Sequence, residues 1–224
     1  MIKNKAHYYY YRAVWLLIRL KKGGQLPIVE CYIGTKWDYM GEKTVIVTRQ
    51  HPQGHFTMGV YLVDIYCKGL LHSEYFFNMN HDDYEMMVKR IDMDEDLKKA
   101  AYADAHKLVY GAIDFAEAVG IDSEDSFDIT KYILDEKKEE IPFAEFGRNG
   151  KHYLRADTDE EAELYIPIIM EAIGTDFTYS IEGVTDGEVD AAEVPFGDFD
   201  FSELNYDEEE FDKMFEKLNR ESQD

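Results

Sequence analysis

The chain has 224 residues, of which 45% are hydrophobic and 14% aromatic, so it can bury a sizeable core and is not a wholly disordered protein. Its formal net charge of −23 repels nucleic acid and anionic lipid at long range and steers cationic partners toward it, which disfavours direct DNA or RNA binding. The charge is laid out unevenly: residues 1–29 contain no Asp or Glu, whereas residues 183–224 hold 15 of the 47 acids.

In chain order, residues 5–22 combine four tyrosines with Trp15, Leu16, Leu17 and Ile18, and read as a basic helix ending at Gly23-Gly24. Apolar residues run almost all round its second half, which favours packing in a core over lying in a membrane surface. The apolar patch is too short to span a bilayer and has no small-residue cleavage site, so neither a transmembrane segment nor a signal peptide is expected.

Ile28–Ile33 and Thr44–Thr48 are short, β-branched and bounded by turn residues, as strands are. Pro52 and Gly54 favour a turn, and Phe56–Cys67 is expected to return as the second strand of a hairpin. Both faces of that second strand are mostly apolar, which suggests a central strand with covered faces. Asp82-Asp83 is expected to cap a helix beginning at Tyr84. From Asp96 to Val119, Leu97, Ala101, Ala105, Leu108, Ala112, Ala116 and Val119 form one helical stripe, closed by Gly120. A short helix is expected over Phe127–Leu134, and a hairpin over Phe143–Leu154 with Asn149-Gly150 as its turn. Thr158-Asp-Glu-Glu161 is a capping-box pattern opening a helix toward Ile173, which Pro167 should kink or restart. Phe177–Ile181 supplies a last strand.

These elements predict an α+β domain over residues 1–182, with a small, mostly antiparallel sheet and packed helices. Residues 183–224 form an acidic extension: a linker with isolated aromatics, then Asp207-Glu-Glu-Glu210 ahead of Phe211, Met214, Phe215 and Leu218. Those four positions are i, i+3, i+4 and i+7, one apolar helical face behind an acidic N-terminus that suits the helix dipole.

No phosphate-binding loop, dinucleotide fingerprint, nucleophile elbow or His-Glu-x-x-His motif is present, and no cofactor is expected. Asp64 is the sharpest enzymatic candidate: alternation places it on an apolar strand face, where burial raises a carboxyl's pKa and demands a partner. It serves either as a structural carboxylate or as the acid or base of a hydrolase-like site with His51, His55 or His72 as helper. His51, His55, Cys67, His72 and His81 are suitable zinc ligands by type, but they lack ligand spacing, so no metal is expected. His81 beside Asp82-Asp83 could do acid–base work; helix capping is the preferred reading. Gly111-Ala112 permits either a bound ligand or a closely packed element, with close packing preferred. Cys31 and Cys67 sit in apolar surroundings as free thiols, which points to a reducing compartment and a cytoplasmic location.

The residues Trp37, Gly41, Val45-Ile-Val47, Arg49, Gly54, Gly59-Val-Tyr-Leu-Val-Asp-Ile-Tyr-Cys67 and Gly69, with Tyr110-Gly-Ala112, Ala116 and Gly120, resemble a group of uncharacterised bacterial proteins. The resemblance covers about residues 30–120 and implies no activity, cofactor or partner. Lys68 departs from it, standing where an apolar residue is expected.

The sequence therefore favours a non-enzymatic protein-interaction module. Phe211, Met214, Phe215 and Leu218 are its anchors, used in a basic or apolar groove of a partner or folded back on the chain itself. A hydrolase-like enzyme around Asp64 and an acidic mimic of nucleic acid are the alternatives.

Overall fold

The β-branched runs become strands where their composition predicts. The computed structural model describes residues 24–137 and 146–181. The expected helix over residues 5–22, the start of the hairpin expected over 143–154, and the acidic extension from 183 onward lie outside the described residues. Five antiparallel strands form the main sheet: β1 (Ile28–Gly34), β2 (Glu42–Gln50), β3 (Phe56–Asp64), β4 (Gly69–Met79) and β5 (Leu97–Lys99), in the order β4-β3-β2-β1-β5. Helix α1 (His81–Glu95) follows β4, and α2 (Tyr102–Glu117) follows β5. The short α3 (Phe127–Thr130) runs into a 3-10 turn over Lys131–Ile133. Then β6 (Tyr153–Ala156), α4 (Asp159–Ile173) and β7 (Thr178–Ile181) make a second, two-stranded sheet in which β6 and β7 are parallel. The fold is α+β, as the element pattern predicts.

β3 is an inner strand with both faces covered. Tyr61 and Val63 point into a core with Cys31, Val45, Val47 and the α2 residues Ala105, Val109 and Ala112. Phe56 and Met58 point the other way, into a smaller core with Ile46 and Tyr84 of α1. A third cluster joins Cys67, Ala116 and Val119 to Leu154, Ala162, Ile166 and Ile169 of the β6–α4–β7 unit. Both cysteines are free and buried, as their apolar surroundings suggest.

Several boundaries differ from the sequence reading, each for a local reason. β3 ends at Asp64 rather than Cys67, because the chain turns there to start β4, a strand the sequence pattern does not announce. Register shifts opposite Phe56/Met58 and Leu62/Val63 interrupt the two-residue period of β4. Helix α1 starts at His81, not Tyr84: Asn80 is the cap, its side chain accepting the Asp83 N–H at 2.9 Å. Asp96 adopts a left-handed conformation (φ 49°) and its N–H bonds to Asp92 O, so α1 ends there. The stripe from Asp96 to Val119 therefore divides, Leu97–Lys99 pairing with Tyr32–Gly34 before α2 begins at Tyr102. Asn149-Gly150 does form a tight turn, both residues at positive φ, bridged by Arg148 and Lys151. The strand after it pairs with β7 rather than closing the expected hairpin. Thr158 caps α4 through the Glu161 N–H at 3.1 Å, and the helix runs unbroken through Pro167. Pro167 lies on the exposed side, where water can satisfy the carbonyl four residues back.

Of the small residues in Tyr110-Gly-Ala112 and Ala116, Ala112 and Ala116 serve close packing against a strand. Gly69, at φ 73°, brings the start of β4 against α2; a Cβ there would stand 2.6 Å from Ala116 Cβ and 3.0 Å from the Ala112 carbonyl oxygen. Gly41 is similarly constrained, since at φ 80° its Cβ would meet the Tyr66 ring at 2.2 Å.

Candidate functional site

Two polar sites stand at opposite ends of β3. The first is built where β3 turns into β4. Asp64 is 3% exposed, and its two carboxylate oxygens each accept a backbone N–H, from Tyr66 at 2.7 Å and from Lys68 at 2.9 Å. A carboxylate placed this way closes its own turn, in the manner of Asx-turns. Burial pushes its pKa up to about 6, against the two backbone bonds and the Lys68 charge, which favour ionisation.

Lys68, 8% exposed, carries its ammonium to Glu161 Oε1 at 2.8 Å. Burial is the largest influence and disfavours that charge, but the bond to Glu161 together with the charges of Glu161, Asp64 and Asp157 raises the lysine pKa. Glu161 experiences the converse: burial opposes ionisation, and the Lys68 bond with the Asp157 N–H at 2.7 Å holds the carboxyl below its usual range. Lys68 thus ties the β3–β4 turn to the first turn of α4. Arg155 adds contacts to Glu42 at 3.6 Å and Asp157 at 3.5 Å.

The histidines proposed as helpers do not gather around Asp64. Asp64 pairs with Glu42, and Phe56 with Gln50 at the far end of the same hairpin. His51 and His55 lie beyond that far end, on the order of 25 Å along the strand from Asp64 at about 3.3 Å per residue. There His51 Nε2 meets Thr57 Oγ1 at 2.8 Å, and its ring lies edge-on to Phe77. His72 is opposite Leu62, nearer to Asp64, but its side chain is 60% exposed and lies 3.8 Å from Glu124. Beside it, Ser73 and Ser126 share a 2.6 Å hydroxyl contact, and Ser126 Oγ accepts the Ser73 N–H at 3.1 Å. That contact covers part of the outer edge of β4. Among the described residues, no group of three or more His, Cys, Asp or Glu side chains could hold a metal ion. No helix among them is long and apolar enough to cross a membrane.

The second site was not singled out by the sequence. Val29, Glu30 and Tyr32 of β1, Gln50, Phe56, and His81, Tyr84, Glu85, Val88 and Lys89 of α1 line an open groove of about 450 Å³. Glu30 Oε2 accepts the hydroxyls of Tyr84 at 2.9 Å and Tyr32 at 3.1 Å, and Oε1 receives Lys99 Nζ at 3.0 Å. Burial opposes ionisation of Glu30, but Lys99 and the two hydroxyls hold its carboxyl below the usual range. Phe56 stacks on Tyr84 with centroids 4.5 Å apart, and His81 approaches the Phe56 ring edge at 5.9 Å. The only sequence signal for this site was a carboxylate inside an apolar strand, the same signal that marked Asp64.

The proposed partner anchors Phe211, Met214, Phe215 and Leu218 lie outside the described residues. No family model, curated protein or solved structure matches the chain.

Proposed function

We propose that the protein is a cytoplasmic, non-enzymatic interaction module that captures a protein partner through its acidic C-terminal extension. The observation that carries this reading is the face Phe211, Met214, Phe215 and Leu218 behind Asp207-Glu-Glu-Glu210. Four large apolar side chains at helical spacing are costly to leave in water, at roughly 1.5–3 kcal/mol each, so a helix bearing them docks. The acidic run ahead of them guides encounter with a basic or apolar groove more than it adds affinity.

What favours this over a hydrolase-like enzyme is the employment of the alternative residues. Asp64 spends both oxygens on backbone amides. His51 is bonded to Thr57, and His51 and His55 stand at the other end of the hairpin from Asp64. Substituting Phe211→Ala with Phe215→Ala should abolish partner capture by the full chain while leaving its circular dichroism and melting unchanged. Capture that survives the double substitution would overturn the reading.

A further inference from the structure

We propose that the outer face of α1 pairs, antiparallel, with the same face of a second copy of this chain. This surface is separate from the C-terminal extension, so the proposal goes beyond the interaction reading and does not depend on it. Helix α1 turns Tyr84, Met87, Val88 and Ile91 toward the sheet. Its opposite crest carries Met86 and Met93, 64% and 79% exposed. The other large apolar side chains more than half exposed among the described residues are Tyr39 and Leu164, each alone on its element. Two methionines seven residues apart lie on nearly one line of the helix, a flexible apolar ridge where a solvated face would carry charge.

The charges beside that ridge select the occupant. Asp83 and Arg90 flank it on one side and Asp82 and Lys89 on the other, all four exposed. In each case an acid precedes a cation by seven residues, about 10.5 Å along the axis, too far to meet within one helix. In an antiparallel pair with its two-fold axis at Met86, each side of the ridge faces its own counterpart. Asp83 then stands opposite Arg90 of the second copy, Asp82 stands opposite Lys89 of that copy, and symmetry repeats both contacts. A parallel pair in register would set acid beside acid and cation beside cation. Sliding the two-fold axis to Arg90 would bring the cations together. The pattern is therefore complementary to itself in one orientation and one register. Existing contacts compete weakly for these groups. Arg90 has no ion-pair partner among the described residues, and Lys89 meets Glu85 at 3.6 Å in an exposed pair that contributes little. Asp83 accepts the Asn80 side-chain amide at 2.7 Å on one oxygen, which leaves the other for a guanidinium. The net charge of −23 opposes association at long range, but physiological salt screens it beyond about 8 Å while sparing the facing pairs. A single helix-on-helix contact lies at the low end of interface size, so the dimer is weak, with a Kd on the order of 10⁻⁴ M.

Sedimentation equilibrium of the full chain in physiological salt, up to about 1 mM, should show a reversible monomer–dimer equilibrium of that strength. Arg90→Asp and Asp83→Arg, each alone, set like charges opposite one another twice and should weaken the dimer by at least about tenfold. An equimolar mixture of the two variants restores both attractive pairs and should associate as a heterodimer about as tightly as the natural chain. Met86→Lys, which sets two ammonium groups at the two-fold axis, should also weaken it and serves as an independent variant should Asp83→Arg disturb the helix start. Phe211→Ala with Phe215→Ala should leave the dimer intact, which separates this face from the C-terminal reading. A natural chain that stays monomeric to 1 mM, a dimer indifferent to Arg90→Asp and Met86→Lys, or one lost with the Phe211 and Phe215 substitutions would overturn the proposal. Failure of the mixture of folded variants to associate would overturn the antiparallel register.

Discussion

Asp64 and Glu30 are both carboxylates set in apolar strands, one toward each end of the β2–β3 hairpin, and their surroundings move them in opposite directions. Asp64 is sealed at 3% exposure, and burial outweighs two backbone N–H bonds to push its pKa up to about 6. Glu30, with a side chain 31% exposed, keeps enough contact with solvent that Lys99 and two tyrosine hydroxyls prevail and lower its pKa. An acid in an apolar strand is therefore not one kind of feature. The donors of Asp64 are main-chain groups of its own turn, so it holds structure together. Those of Glu30 are side chains on three elements, so it sits in an opening.

The comparison is tested hardest at Asp64. Asp64→Ala strands two backbone N–H groups in the interior, and should cost about 2–4 kcal/mol of unfolding free energy in denaturant melts. Asp64→Asn removes the titration together with one of the two acceptor oxygens, so the pH dependence of its effect, not its absolute size, reports on the charge. A carboxyl whose folded pKa lies above its unfolded value binds its proton more tightly when folded. Its stabilising contribution is complete below pH 4 and is lost as pH rises through about 6. The stability of the natural chain relative to Asp64→Asn should accordingly fall by roughly 2–3 kcal/mol between pH 4 and pH 7, from the size of the displacement. A difference that stays flat over that range would mean Asp64 is better solvated than its burial indicates.

The pair Lys68–Glu161 tests the neighbouring half of the sealed site. Lys68→Met alone leaves Glu161 partly buried without its ammonium, and should destabilise by about 2–3 kcal/mol. Adding Glu161→Leu removes the unpaired acid and should recover more than half of that loss, although the Asp157 N–H loses its acceptor. A double variant as damaged as the single one would show the pair to be a net contributor to stability rather than a tie between β4's turn and α4.

How far these sites could be read in advance depends on whether their partners are local. β1, β2 and most of β3 followed from β-branched runs, and α4 from its capping box, because each signal lies within a few residues of what it specifies. β4 escaped because bulges erase its alternation, and β5 because three residues cannot show a period and lie at the start of the helical stripe; the left-handed Asp96 divides β5 from α1, and the extended Ala101 divides it from α2. Asp64 was visible as an acid on an apolar face, yet its partners Tyr66 and Lys68 required knowing that the chain turns there. Lys68 was visible only as a misfit, and Glu161 only as a capping residue; their contact spans 93 positions of sequence. The groove is the least legible, since Glu30, Phe56 and Tyr84 belong to three elements with no shared spacing.

Glu30→Gln gives the smallest expected effect and the sharpest contrast with Asp64. The glutamine carbonyl can still accept a tyrosine hydroxyl, and the opening lets water reach whatever it leaves. Lys99 loses an ion pair, but at 67% exposure that pair contributes less than about 1 kcal/mol. The substitution should thus change unfolding free energy by under about 1 kcal/mol while removing the ionised acceptor that faces the groove. Because Glu30 titrates below the usual range, its effect should also be constant from pH 6 to pH 8, where Asp64 is completing its own titration. A loss as large as that of Asp64→Ala would make Glu30 a structural tie of the same kind, and the two ends of the hairpin would no longer differ.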